Sequence, residues 1–448
     1  MKKLIYVFMA LLTLAGCKKE DELVFDARPE ERMSESLTQI NQTLASAPNG
    51  WIATLPTQAG GGYSFHISFD ATNQTVKMYG DLTDATATTI GNSTYRMRAN
   101  MGAELIFDTY NYISLLEDPN PNSFGGATGS GFKSDVEFIW DRSVGDSIVF
   151  RGKKYKQTLA MVKATAQQKT AYENGAFKVG MDKFKAFFVN TKNPYIEVAV
   201  GNTILKTAVS VNTTNSLTLG KRVGFTGVLA DGTTVVTGSS KFAFTLEGAN
   251  LLPAGLSFQG ITFVRFAWKD ATTLAIYDTA GKEYIIKSNA TPITPLSLLF
   301  GFPTTYPYKK LTIGASGLPS GVTSSFTAAY NSMLSLFTST GRSVTYTTFS
   351  LTSNSDFLVE ISYMSGTSAF IASATYKYTR TGDVITLDNN PVGNVNWPTR
   401  AAQIKPLADY MLTGPFKLDW VTSTNPNSAL LGGLYRTADA GSFIYGTL

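Results

Sequence analysis

Asp135 and Glu137 lie two residues apart. If Asp135–Trp140 is a strand, both carboxylates share one face, roughly 6.6 Å apart along it, a spacing that would suit paired acid and base chemistry on a glycoside. Same-face acids on an exposed strand more commonly serve solvation, so this pair supports an enzyme reading only as a hypothesis. Asp118-Pro119-Asn120-Pro121-Asn122 sets side-chain oxygens at alternate positions, as a calcium loop begins. Ser123 then stands where the EF-hand needs Gly, and Gly129 where it needs Glu. A looser calcium site drawing on Glu117 is outweighed by the ordinary turn-forming use of Asp, Asn and Pro. Gly126–Ser134 departs by one residue from a phosphate-binding P-loop, because Phe132 separates Gly131 from Lys133. It precedes a strand, whereas that motif opens a helix, so it reads as a flexible glycine loop.

His66 is the only histidine and Cys17 the only cysteine. His66 shares the polar face of its strand with Ser64 and Ser68 and reads as a solvated surface residue. Neither a Ser/His/Asp triad nor a zinc site is indicated. Flat apolar rings beside hydrogen-bonding groups suit sugar faces and protein hot spots, which singles out Trp397, Trp420, Tyr306 and Tyr308. Anchoring of local turns and cores is the commoner use of such rings, and no ligand-binding residue is named from them. No catalytic residue, metal or cofactor is expected; the chain reads as a binder rather than an enzyme.

The elements that position these residues are mainly strands, short runs of Thr, Val, Ile, Phe and Tyr separated by Gly, Asn, Asp and Pro. Tyr63–Phe69 alternates with period two and directs Tyr63, Phe65, Ile67 and Phe69 to a core. Further strands are expected from Thr75–Tyr79 through Val384–Leu387. The connections are too short for repeated crossover helices, which implies antiparallel sheets. Three helices are predicted: Pro29–Leu44; a shorter one carrying Phe184, Phe187 and Phe188; and one carrying Phe326, Tyr330, Met333 and Phe337 after Ser324 as N-cap. The Phe stripe reads as packing, with a hydrophobic ligand as the rarer use. Phe138–Phe150 echoes Tyr376–Leu387, both aromatic-x-aromatic-x-Arg followed by Gly-Asp, with a weaker copy at Phe242–Leu251. The echo suggests related domains.

The expected fold is mostly β, with two or three antiparallel β-barrel or sandwich domains, each with a packed amphipathic helix. The 43% hydrophobic and 12% aromatic content supplies apolar material for two or three cores. The boundaries read as a signal peptide over 1–16, a lipidated tether over 17–28, and β-domains over 29–165, 166–300 and 301–448. A polar stretch, Ala166–Asn174, opens the middle domain, and Ser288–Pro303 is a connector. The last two domains also fit a single larger unit.

Lys2, Lys3 and the apolar run Leu4–Leu12 form a secretory signal too short to span a bilayer comfortably. Leu14-Ala15-Gly16-Cys17 resembles the lipobox at which bacterial lipoproteins are acylated on the cysteine and cleaved before it. Lys18-Lys19-Glu20-Asp21-Glu22 resembles the export signal of surface-exposed Bacteroidota lipoproteins. The formal charge of +5 falls to +3 without Lys2 and Lys3, and no basic cluster supports nucleic-acid binding. Pro48–Trp51, Gly61–Phe65, Leu105–Tyr110 and Asp135–Phe138 together resemble a family of uncharacterised Bacteroidota lipoproteins. That resemblance covers the signal and most of the first domain and is thinner beyond. It implies an association with starch-utilisation-type outer-membrane uptake systems and assigns no residue a catalytic role. The expected protein is lipid-anchored at the outer membrane through Cys17 and faces outward. It captures a glycan or protein ligand, with an outer-membrane transporter complex as partner. An adhesin-like or structural surface role is the second reading, and a glycoside-acting enzyme the third.

Overall fold

Period-two alternation directs every second side chain of the first sheet inward. The strands Trp51–Pro56, Gly62–Asp70, Thr75–Gly80, Gly91–Ala99, Ala103–Phe107, Glu137–Val144, Ser147–Gly152 and Thr158–Lys163 pair antiparallel, each with the next. Trp51–Thr54 then pairs with Ala160–Lys163, closing the barrel. This computed structural model describes residues 29–100 and 102–448. Cys17 and the charged run Lys18–Glu22 lie outside the described residues. Trp51, Leu55, Tyr63, Phe65, Ile67, Leu105, Phe138, Phe150 and Met161 fill the barrel interior, with Phe69 partly buried against them. Helix Pro29–Ala45 contributes Ile40 and Leu44 to the same cluster. It is pinned where Trp51 Nε1 donates to Leu44 O (2.9 Å) and Tyr95 OH to Asn41 Oδ1 (2.9 Å).

The described chain forms two units, one running through Val179 and including Asn215–Gly220, the other comprising Gly180–Thr214 and Lys221–Leu448. The second unit holds two further meander sheets. The first is nine-stranded between Tyr195–Val200 and Glu283–Ile285. Its ends meet where Tyr195 and Lys287 exchange backbone hydrogen bonds of 2.9 and 2.8 Å. Helix Ala176–Asn190 seats Phe184 against Phe242, Phe244 and Phe266 at centroid distances of 6.0, 5.6 and 5.4 Å, so the Phe stripe is used in packing. The last sheet runs through Lys310–Ile313, Arg342–Leu351, Asp356–Ser365, Ser368–Thr381, Val384–Leu387, Phe416–Val421, Leu431–Arg436 and Asp439–Thr447. Thr447 pairs with Thr312 and completes the ring. The protein is thus mostly β, built of closed or nearly closed antiparallel barrels with a few helices. Among the described residues, no helix is long and apolar enough to cross a membrane.

Helix Phe326–Ser339 buries Phe326, Tyr330, Met333 and Phe337 in the core of the last barrel. Ser324 does not cap it through the N-cap position, which is Ser325. Its hydroxyl accepts from Phe326 N at the helix start (3.3 Å), and it also donates to Phe443 O (2.7 Å) and accepts from Phe443 N (2.9 Å), tying the helix entry to strand Asp439–Thr447. The two echoed hairpins share a two-residue Gly-Asp turn, with Gly145 at φ 57° and Gly382 at φ 63°. Glycine adopts that left-handed conformation at less cost than residues with a Cβ. They occupy different places, the sixth and seventh strands of the first barrel but the fourth and fifth of the last. The echo therefore reflects a shared turn, not a matching position in the ring.

His66 is not solvated. It is 4% exposed, and Ser64 beside it is also buried. Residues Ala166–Glu173, expected as a polar opening stretch, form a helix with a Thr165/Gln168 capping box. That helix lays Tyr172 over the outer face of the barrel, stacked on the His66 ring at 4.9 Å. His66 Nε2 donates to Asn49 O (2.8 Å). Burial pushes the imidazole below its ordinary value of 6.5, against the opposing effect of that hydrogen bond, so it rests neutral. The unfolded chain then binds the proton more readily than the fold. Stability therefore falls as pH drops from about 6.5 through the depressed value, by at most about 1.4 kcal/mol per pH unit. Thermal melts at about pH 7.5 and 5.5 should show this loss, and His66→Gln should reduce it.

Candidate functional site

In the second unit a cleft of about 900 Å³ opens beside the last barrel. One wall is the connector after the middle sheet. Leu296 and Phe300 of this segment are fully buried in the core of the last barrel, so hydrophobic burial holds the connector down. Two side chains from the barrel wall then fix its backbone. Arg380 donates through Nη1 to Phe300 O (2.7 Å), through Nη2 to Ser297 O and through Nε to Gly382 O (3.0 Å). Trp420 Nε1 donates to Thr294 O (2.8 Å). These bonds hold the apolar segment Ile293–Leu298 along the cleft.

Tyr306 and Trp420 both line this cleft, although they are far apart in sequence. The Tyr306 ring lies against Gly301, where a Cβ would come within 2.7 Å of it. Phe302, 41% exposed, stands beside them. Tyr308 packs edge-on behind Trp420 at 6.1 Å and is not part of the lining. Trp397 packs elsewhere, against Gly393 and the barrel core. Lys417 Nζ lies 3.3 Å from Asp419 Oδ2 and 3.7 Å from Asp383 Oδ2, so the cation is shared between two carboxylates. The lining thus offers aromatic surface beside compensated charge. Such a surface suits noncovalent recognition of a polar ligand with apolar faces. Sequence reading missed Lys417 and the roles of Arg380 and Asp383, which appeared only as parts of the hairpin echo.

The acidic residues singled out in the sequence serve the first barrel instead. Asp135 precedes its strand, which starts at Glu137, so the two are not paired on a strand face. Asp135 is buried, and its carboxylate accepts from Lys154 N (2.6 Å) and Tyr155 N (3.0 Å). Burial pushes its pKa up against those hydrogen bonds. Gly152 makes room for it, since a Cβ there would fall 2.2 Å from Asp135 Oδ2. Lys153 bridges Glu137 (2.6 Å) and the fully buried Glu104 (2.9 Å), and Arg98 adds a bond to Glu104 at 3.1 Å. Burial favours the neutral form of Glu104, but Lys153, Asn100 and Arg98 outweigh it and hold the carboxylate below its usual range.

Asp118 and Asn120 make turns: Asp118 Oδ1 accepts from Asn120 N (2.8 Å), and Asn120 Oδ1 from Asn122 N (3.1 Å), capping helix Pro121–Phe124. Among the described residues, no three His, Cys, Asp or Glu side chains gather as a metal site. The glycine loop is packed at its ends, at Gly126 and Gly131, while Thr128 and Gly129 at its tip are exposed. Phe132 is fully buried, and a Cβ on Gly131 would meet Leu116 O at 2.7 Å. Asp135→Ala strands two backbone donors and should lower stability by about 2 kcal/mol in urea denaturation.

The sequence of the first barrel and most of the middle sheet matches a known family, whereas the connector and the last barrel lie beyond the match. No curated protein matches the chain. With residues 21–270, more than half of its length, matching the domain of unknown function DUF4302, the chain belongs to that family.

Proposed function

We propose that this chain is a non-catalytic, lipid-anchored surface protein that captures a glycan or protein ligand for outer-membrane nutrient uptake. The observation that carries the reading is the 900 Å³ cleft, in which the rings of Tyr306 and the exposed Phe302 stand beside the Lys417 charge cluster, with the largely buried Trp420 in its wall. Rings of this kind supply much of the binding energy at recognition surfaces, while paired charges orient a polar partner. Location rests on the Leu14–Cys17 lipobox and the Lys18–Glu22 run. Several acyl chains on Cys17 anchor the protein stably, since each buried methylene adds about 0.8 kcal/mol. The resemblance to Bacteroidota lipoproteins that accompany starch-utilisation-type systems supports an outer-membrane transporter as the proposed partner.

Cross-linking on intact cells should recover such a transporter with the wild-type chain and lose it with Cys17→Ala. Surface exposure without any transporter would reject the uptake role and favour adhesion. On arrays of soluble polysaccharides and peptides, the full chain should retain a ligand. Tyr306→Ala should weaken that retention about tenfold while the melting temperature stays within about 2 °C of wild type.

A further inference from the structure

The first unit contains a smaller cleft, of about 300 Å³, lined by Tyr110, Glu117, Asp118, Lys154 and Tyr155 among others. It is held in shape by the barrel beneath it. Leu116, fully buried in the barrel core, fixes the end of the short turn Ser114–Leu116, and its carbonyl accepts from Phe132 N (2.8 Å). Glu117 follows directly.

The neighbouring carboxylates are all engaged. Asp118 accepts from Asn120 N and from Tyr110 OH (2.9 Å), Asp135 from two backbone amides, and Glu137 from Lys153. By contrast, no hydrogen bond or ion pair among the described residues reaches the Glu117 carboxylate. Burial and the nearby charges of Asp135 and Glu137 push its pKa up, and Lys154 opposes them only in part. Lys154, the cation lining the cleft, stands beyond ion-pair distance of Glu117. It also shows how an ammonium sits here, because Lys154 Nζ lies 4.7 Å from the centre of the Tyr155 ring. Tyr110, 61% exposed, provides a second ring.

We propose that this cleft takes the side-chain ammonium of a lysine presented by a peptide, with Glu117 as its counter-ion and Tyr110 and Tyr155 beside its alkyl stem. The available volume admits one such side chain rather than a folded segment. This site is separate from the cleft in the second unit and stands or falls independently of that cleft's ligand.

The test uses the full chain with Cys17→Ala, labelled on its tyrosine rings for NMR. It is titrated with Nα-acetyl-lysine methylamide, with the Nε-acetylated form of the same compound, and with glucosamine. The lysine compound should bind with a Kd in the millimolar range and shift tyrosine resonances that are lost in Tyr110→Leu. Its Nε-acetylated form should bind at least tenfold more weakly. Glu117→Gln should weaken the lysine compound about tenfold, while Asp146→Asn, an exposed carboxylate elsewhere on the barrel, leaves it unchanged. Unaltered melting curves of Glu117→Gln separate loss of binding from loss of fold. Equal binding of the acetylated compound, tighter binding of glucosamine, or no binding of the lysine compound would each overturn the proposal.

Discussion

When strand Trp51–Pro56 pairs with Thr158–Lys163, the first sheet loses both of its edges. An open sheet leaves a row of backbone donors and acceptors ready for another chain, and closure removes that row. It also encloses an interior that must be filled, which is why Trp51, Tyr63, Phe65, Phe138 and Phe150 are completely buried. Helix Pro29–Ala45 adds Ile40 and Leu44 to this interior. The outer wall, freed from carrying the core, can accept a second layer. Tyr172 stacks there on His66, and the Glu104–Lys153–Glu137 cluster lies along neighbouring strands.

Local pattern made much of this legible. Alternation in Tyr63–Phe69 names the inward face, and the spacing of Phe326, Tyr330, Met333 and Phe337 names a helix and its buried side. Patterns that depend on a second layer were not legible. His66 alternates with core residues and so reads as outward and wet, but an outward position is dry once a helix lies over it. The Thr165-Ala166-Gln167-Gln168 start of that helix is a capping-box signature that the sequence did offer. Helix Ala401–Met411 carries Pro406 in its interior, a residue that ordinarily marks a helix end, and its buried Ile404, Leu407 and Met411 find partners only in the finished barrel.

The same division holds for the cleft in the second unit. Trp420 and Tyr306 stand out in sequence as rings in polar surroundings. Nothing local indicates that a connector folded against the barrel brings them to one surface. Arg380 shows the difficulty most directly. As sequence it belongs to a hairpin echo, and as structure it holds the backbone at Ser297 and Phe300, some eighty residues earlier. Asp135 illustrates the reverse case, since its residue type and spacing invite a catalytic reading while its carboxylate is committed to two backbone amides.

Strand Lys310–Ile313 has one neighbour close in sequence and another, Asp439–Thr447, that follows only after the rest of the barrel. As the chain grows from its N-terminus onward, the first barrel and the middle sheet can complete themselves while the last ring is still open. Arg380, Lys417 and Trp420 belong to that unfinished ring. The cleft is therefore among the latest features to mature, and a chain interrupted before Asp439–Thr447 would hold its other barrels with this ring still open.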